Sequence, residues 1–134
     1  MGAIKKPRRT AKKKILTIED NPTDRKFIQR ILEKKGYRVY AAETAAKGLG
    51  MAASKNPDLI LMDELLPDMS GSDACRQLKA SKETRQIPVI FLTVVDSPSS
   101  IIEHFELDAV THLTKPINAK MLIDQIEMVF VAGG

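Results

Sequence analysis

At 134 residues the chain has the length of one domain. A hydrophobic fraction of 43% and a charged fraction of 28% exclude a disordered chain and suit a globular one with a single real core. The apolar runs fall far short of the ~20 residues a spanning helix needs, no basic segment leads into a signal-type apolar stretch, and the lone Cys75 excludes an internal disulfide and fits a reducing compartment.

In chain order, the first segment is a basic leader. Residues 1–14, "MGAIKKPRRTAKKK", hold seven of the 21 basic residues and no acid, which leaves the other 120 residues with 14 basic and 17 acidic ones. Residues 1–13 are therefore expected to be a solvated, disordered leader whose like charges repel one another. This leader is also the one segment through which the sequence allows contact with nucleic acid or an anionic surface. No aromatic residue is interleaved there to stack on bases.

Beyond the leader the pattern alternates. "KILTIED" reads as a short buried strand from Ile15 to Ile18. Asn21-Pro22 then reads as a helix start, with Asn as cap and Pro in the first turn. Phe27, Ile28, Ile31 and Leu32 share one face of that helix, opposite Arg25, Arg30 and Lys34, and Gly36 ends it. "YRVYAA" is a second strand, and Thr44 to Ser54 a helix of small residues. "DLILMD" is the third strand and "GSDACRQLKAS" the third helix, where Cys75 sits mid-pattern as packing. "IPVIFLT" is the fourth strand, "SPSSIIEHFE" the fourth helix and "AVTHLT" the fifth strand. A fifth helix runs from Asn118 to Val131 with Leu122, Ile126, Val129 and Phe130 aligned. The domain is thus expected over residues 14–131, with 132–134 as a tail.

Five strands alternate with five helices, and the first, third and fourth strands are continuous apolar runs. That pattern argues an α/β fold, a doubly wound parallel sheet covered on both faces. Such sheets bind ligands beyond the carboxyl ends of their strands. Here those ends carry Glu19-Asp20, Asp63-Glu64, Thr93 and Lys115-Pro116. Three carboxylates gathered at one rim repel unless a cation joins them. Mg²⁺ suits them, since it takes one or two carboxylates together with waters and phosphate oxygens. Lys115 is placed to meet a phosphate without competing for the metal. Asp63, just past a buried strand, is held rigidly yet reaches the rim, as a nucleophile forming an aspartyl phosphate must. Phosphoryl transfer asks mainly for positioning and charge neutralisation, which Mg²⁺, Lys115 and the Thr93 hydroxyl supply. Glu64 is read as a solvated neighbour.

On these residues the chain resembles the receiver domain of two-component response regulators, from about Lys14 to Val131. The matching residues are Glu19-Asp20, Asp63 with Leu66-Pro67 and Gly71, Thr93, and Lys115-Pro116. Asp63 lies 43 residues after Asp20, Thr93 30 after Asp63, and Lys115 22 after Thr93. The resemblance implies a flavodoxin-like, five-stranded sheet of order 2-1-3-4-5. It implies that Asp63 accepts a phosphoryl group from a histidine kinase or a histidine phosphotransfer protein. It implies Mg²⁺ held by Asp20, Asp63 and the backbone carbonyl of Leu65, with Glu19 acting through water. Thr93 would move toward the phosphoryl oxygens, Lys115 would pair with them, and the Lys115–Pro116 bond would be cis. The readout would be a two-state change in the face of the fourth helix, fifth strand and fifth helix, addressed to an unspecified output partner or domain. The same resemblance implies a cytoplasmic protein, monomeric or weakly dimeric, with no membrane contact. Such a protein assists its own phosphorylation and dephosphorylation and is otherwise not an enzyme.

Three positions depart from the family's usual pattern. Val94 follows the threonine where a small residue is common, and could crowd the phosphoryl group. His112 stands three residues before the lysine, where an aromatic switch residue is common. Asp108 replaces a glycine before the fifth strand. His112 is either half-buried packing or a switch, histidine being the side chain whose unperturbed ring titrates near pH ~6.5. His104 and His112 without a third ligand do not make a zinc site. A layered aspartyl-phosphate hydrolase would carry a second aspartate two residues after its nucleophile, where this chain has Leu65. The remaining alternatives are a receiver-like interaction module with weak or no phosphorylation, and a nucleic-acid-associated module acting through the leader.

Overall fold

Apolar strand residues that alternate between two faces build the centre of the molecule. The computed structural model describes residues 12–94 and 111–133. Its strands are β1 (Lys14–Ile18), β2 (Arg38–Ala42), β3 (Leu59–Met62), β4 (Val89–Thr93) and β5 (Thr111–Thr114). All pair in parallel, in the order β2-β1-β3-β4-β5. Four helices lie among the described residues: α1 (Pro22–Lys34), α2 (Ala45–Lys55), α3 (Gly71–Ala80) and α4 (Ala119–Gly133). The last of these is the fifth helix of the sequence reading. The expected fourth helix, His104, Asp108 and leader residues 1–11 lie outside the described residues.

The period of two along each strand sorts its side chains between two cores. Leu16, Ile18, Ile60, Met62, Val89 and Phe91 face one side, where Ala45 and Ala52 of α2 and Ala74, Cys75 and Leu78 of α3 cover them. Ile15, Leu59, Leu61, Ile90 and Leu92 face the other, under Ile28 and Leu32 of α1 and Leu122, Ile123 and Ile126 of α4. With both faces covered, β1, β3 and β4 are buried almost throughout, whereas the edge strands β2 and β5 are not. Phe27 departs from its expected place. It is 44% exposed while Ile28 and Leu32 are fully buried, because the buried arc of α1 is narrower than the apolar arc of its sequence. At the amino end, the Lys13 carbonyl accepts from Arg38 N at 2.9 Å and its ammonium lies 5.3 Å from the Phe130 ring centroid.

Short polar side chains set where the helices begin, and so where the strand ends open. Asn21 caps α1, its side chain accepting from Asp24 N at 2.9 Å, with Pro22 next. Thr44 and Ser70 cap α2 and α3 in the same way, and Asn118 accepts from Met121 N at 3.0 Å. Gly36, at φ 96°, lets the chain turn back after α1.

The loop from β3 to α3 is closed tightly. Leu65 and Ser70 form an antiparallel bridge, and Gly71 N donates to the Glu64 carbonyl at 2.8 Å. A Cβ at position 71 would be driven into the Asp63 carbonyl oxygen. Gly71→Ala should therefore cost about 1–3 kcal/mol, the usual range for overpacking against fixed backbone. Gly50→Ala is the control, since a Cβ there meets nothing within 4 Å and helix propensity favours alanine by ~1 kcal/mol. Urea denaturation midpoints should fall for the first variant and hold or rise for the second.

Candidate functional site

The parallel ladder continues one residue past several strands and delivers their polar successors to one rim. Glu19 N donates to the Ala42 carbonyl at 2.9 Å, Asp63 N to Ile18 at 3.0 Å and Lys115 N to Thr93 at 3.0 Å. Glu19 and Thr93 are buried, Asp63 is 5% exposed and Asp20 lies open to solvent. The Lys115–Pro116 peptide is cis.

Lys115 reaches into the acids. Its Nζ lies 2.6 Å from Glu19 Oε1, 3.0 Å from Asp63 Oδ2 and 3.1 Å from Asp24 Oδ2. The ammonium thus sits against two of the three metal-type carboxylates, Glu19 and Asp63. The cause is burial: carboxylates removed from water need a counter-charge and donors close at hand. Asp24 was not singled out in the sequence. The available signal was an acid in the first turn of a helix that opens at this rim. Arg25 was also missed; its Nη1 donates to the carbonyls of Glu19 at 2.9 Å and Asp20 at 3.2 Å.

Glu64 is not merely a solvated neighbour. Its Oε1 accepts from Ser72 N at 3.1 Å and Ser72 Oγ at 2.7 Å. It therefore satisfies an open N–H in the first turn of α3. Asp68 does the same for α2, accepting from Ala45 N and Ala46 N, both at 2.9 Å. Those bonds, Ala45 first, hold its carboxyl below its ordinary range. The loop carrying Asp63 is thereby fastened to two helices.

Glu19, Asp20 and Asp63 offer carboxylate oxygens that all lie within 4.8 Å of one another. Three hard oxygen donors, with Asp20 open to water, fit a divalent ion such as Mg²⁺ that keeps part of its water shell. Asp63 Oδ1 accepts from Leu65 N at 3.2 Å, so Leu65 already turns toward Asp63 through its backbone. His112 is half-buried on β5, in register with Phe91 of β4. The Val94 side chain is 58% exposed just past Thr93.

The burial has an electrostatic signature. Desolvation pushes Glu19 up from 4.5 to about 7 and the Asp63 charge adds to it, while Lys115 and the Asn21 N–H, 3.0 Å from Oε2, pull it down. Burial disfavours the Lys115 ammonium, but Glu19, Asp63 and Asp24 outweigh it and raise its pKa. A carboxyl with a raised folded-state pKa binds its proton more tightly folded than unfolded. Its stabilising contribution is full below about pH 4.5 and is lost as pH rises through about 7. Without divalent ions, stability measured by urea denaturation should therefore carry a downward component over that window, up to roughly 3 kcal/mol. Glu19→Gln should remove it, so the difference between the two proteins should change with pH there and level off outside.

The profile of the response regulator receiver domain matches residues 15–127. Protein PilH of Pseudomonas aeruginosa is 35% identical over 116 residues, which cover 87% of this chain and 96% of PilH. Response regulator PleD of Caulobacter vibrioides is also 35% identical, over 84% of this chain but only 25% of its own length. The chain thus spans nearly all of one relative and about a quarter of the other. Among solved structures, a CheY-like receiver domain protein from Methanospirillum hungatei superposes with a TM-score of 0.83 at 27% identity, covering 88% of this chain and 93% of that one. Chemotaxis protein CheY4 of Vibrio cholerae superposes at 0.84 with 26% identity, covering 89% and 99%. A doubly wound parallel sheet of order 2-1-3-4-5, acids and a lysine at its carboxyl rim, and a family match over most of its length make this chain a member of the response regulator receiver domain family of two-component signalling.

Proposed function

We propose that the protein accepts a phosphoryl group on Asp63, with Mg²⁺, from the phosphohistidine of a histidine kinase or phosphotransfer protein. The observation that carries this reading is the environment of one carboxylate. Asp63 is almost wholly buried at the end of β3, bonded through one oxygen to Lys115 and through the other to Leu65 N, with Glu19 and Asp20 beside it. In the transfer, an Asp63 oxygen bonds to phosphorus as the donor's N–P bond breaks. The leaving imidazole takes up a proton, and an acyl phosphate remains.

Asp20, Asp63 and the Leu65 carbonyl would hold Mg²⁺ directly, with Glu19 acting through water. The ion would supply neutralisation of the phosphoryl charge. Lys115 donates to phosphoryl oxygens from a side already lined by acids, and the Thr93 hydroxyl, buried at the end of β4, turns toward the same oxygens. Thr93 pairs with Thr114, and Phe91 with His112, so a shift at the end of β4 is felt directly on β5. That edge and α4 form the described part of the output face. The partner there is an output domain or a separate protein, and His112 is the residue on β5 suited to a switching role. The folded domain works from the cytoplasm, with residues 14–131 as its unit and the basic leader outside it.

Two variants separate nucleophile from metal site. Intact-mass analysis after incubation with acetyl phosphate and Mg²⁺ should show one added phosphoryl group, labile to hydroxylamine, and none in Asp63→Asn. Undiminished labelling of that variant would falsify the assignment. Asp20→Asn removes an exposed acid that Lys115 does not pair. It should weaken Mg²⁺ binding by on the order of tenfold or more and raise the melting temperature measured without divalent ions, because one repelling charge is gone. Unchanged metal titration with a lower melting temperature would contradict the metal site.

A further inference from the structure

Lys115 has a third partner that the transfer itself does not use. An ammonium carries three N–H donors, and carboxylate oxygens of Glu19, Asp63 and Asp24 lie 2.6, 3.0 and 3.1 Å from the Lys115 nitrogen, the Asp63 contact as a hydrogen bond and the other two as ion pairs. We infer that Asp24 is a positioning residue, which draws the Lys115 ammonium toward the first turn of α1 so that a phosphoryl group on Asp63 must compete with Asp24 for the lysine. This rests on the reading of Asp63 as phosphoacceptor.

The three acids are not equally able to yield. Glu19 is buried, and moving the ammonium away would leave its Oε1 without a counter-charge in a place shut off from water. Asp63 is the residue that would carry the phosphoryl group. Asp24 has a side chain 36% exposed, so water can replace the lysine there. It is also the acid held most independently of the reaction. Its N–H is bonded to Asn21 Oδ1 at 2.9 Å, and the neighbouring Arg25 ties α1 to the Glu19 and Asp20 carbonyls. The positive end of α1 favours a carboxylate at this position. A fixed acid beside the lysine opposes an arriving phosphoryl group twice, by drawing the ammonium toward itself and by its own negative charge.

Asp24→Asn should therefore label faster with acetyl phosphate at saturating Mg²⁺, by about two- to fivefold, the size a partly exposed ion pair supports. In the absence of any phosphate donor, the Lys115 ammonium protons of this variant should exchange with water faster than in wild type, as read by nitrogen-15 NMR of the lysine side chain. Asp24→Glu, which keeps the charge, should return both quantities toward wild type. A lowered melting temperature in Asp24→Asn with labelling and ammonium exchange unchanged would overturn the inference, leaving Asp24 as a helix-end acid only. Absence of label in wild type would overturn the phosphoacceptor reading and this inference together. Labelled wild type with Asp24→Asn at the same rate would overturn this inference alone.

Discussion

The bond between the Lys115 ammonium and the buried acids Glu19 and Asp63 is the interaction around which the rim is organised. Two carboxylates lose most of their water at the end of the sheet, and without a cation at contact distance they would repel and take up protons. The lysine meets them from the far side. In the order β2-β1-β3-β4-β5, the strand before Lys115 stands three places from the strand before Glu19, roughly 14 Å at ~4.8 Å per strand. A loop beyond β5 and a long side chain are needed to close that gap, and both are present. The raised Glu19 pKa marks what remains unbalanced: even with Lys115 beside it, burial dominates.

Rigidity around Asp63 comes from backbone bonds more than from the acids themselves. Its N–H continues the β1–β3 ladder, and its carbonyl lies against Gly71 with no room for a side chain. Glu64 and Asp68 fasten the following loop to the starts of α3 and α2. These two acids serve helix ends, while Glu19, Asp20 and Asp63 cluster at the rim. A short acidic stretch is thus divided between structure and site by which N–H groups lie within reach.

The strand ends were legible because a fully buried parallel strand is an unbroken apolar run, and its first polar residue marks the rim. The start of α1 was legible from Asn21-Pro22 because a capping side chain and a first-turn proline are local signals. What lay beyond reach were contacts fixed by the third dimension. The Lys115–Asp24 pair depends on how far a side chain extends across the sheet order, and no spacing along the chain encodes it. Glu64 binding Ser72 depends on the return of the β3–α3 loop. Phe27 shares the apolar arc of α1 with Ile28, yet only the packing of α4 alongside decides how wide a stripe is covered. The family resemblance carried the cis Lys115–Pro116 peptide, which nothing in the local sequence demands.

A sheet of this order is shared by proteins with many activities, so the function rests on the rim chemistry. The central claim is that Asp63, and no other acid in the cluster, becomes the acyl phosphate. Borohydride reduces an acyl phosphate to the corresponding alcohol and so records the site permanently. Wild-type protein incubated with acetyl phosphate and Mg²⁺, reduced, digested and mapped by mass spectrometry should show homoserine at position 63 alone. Conversion at position 20 or 24 instead, or no conversion anywhere, would contradict the account.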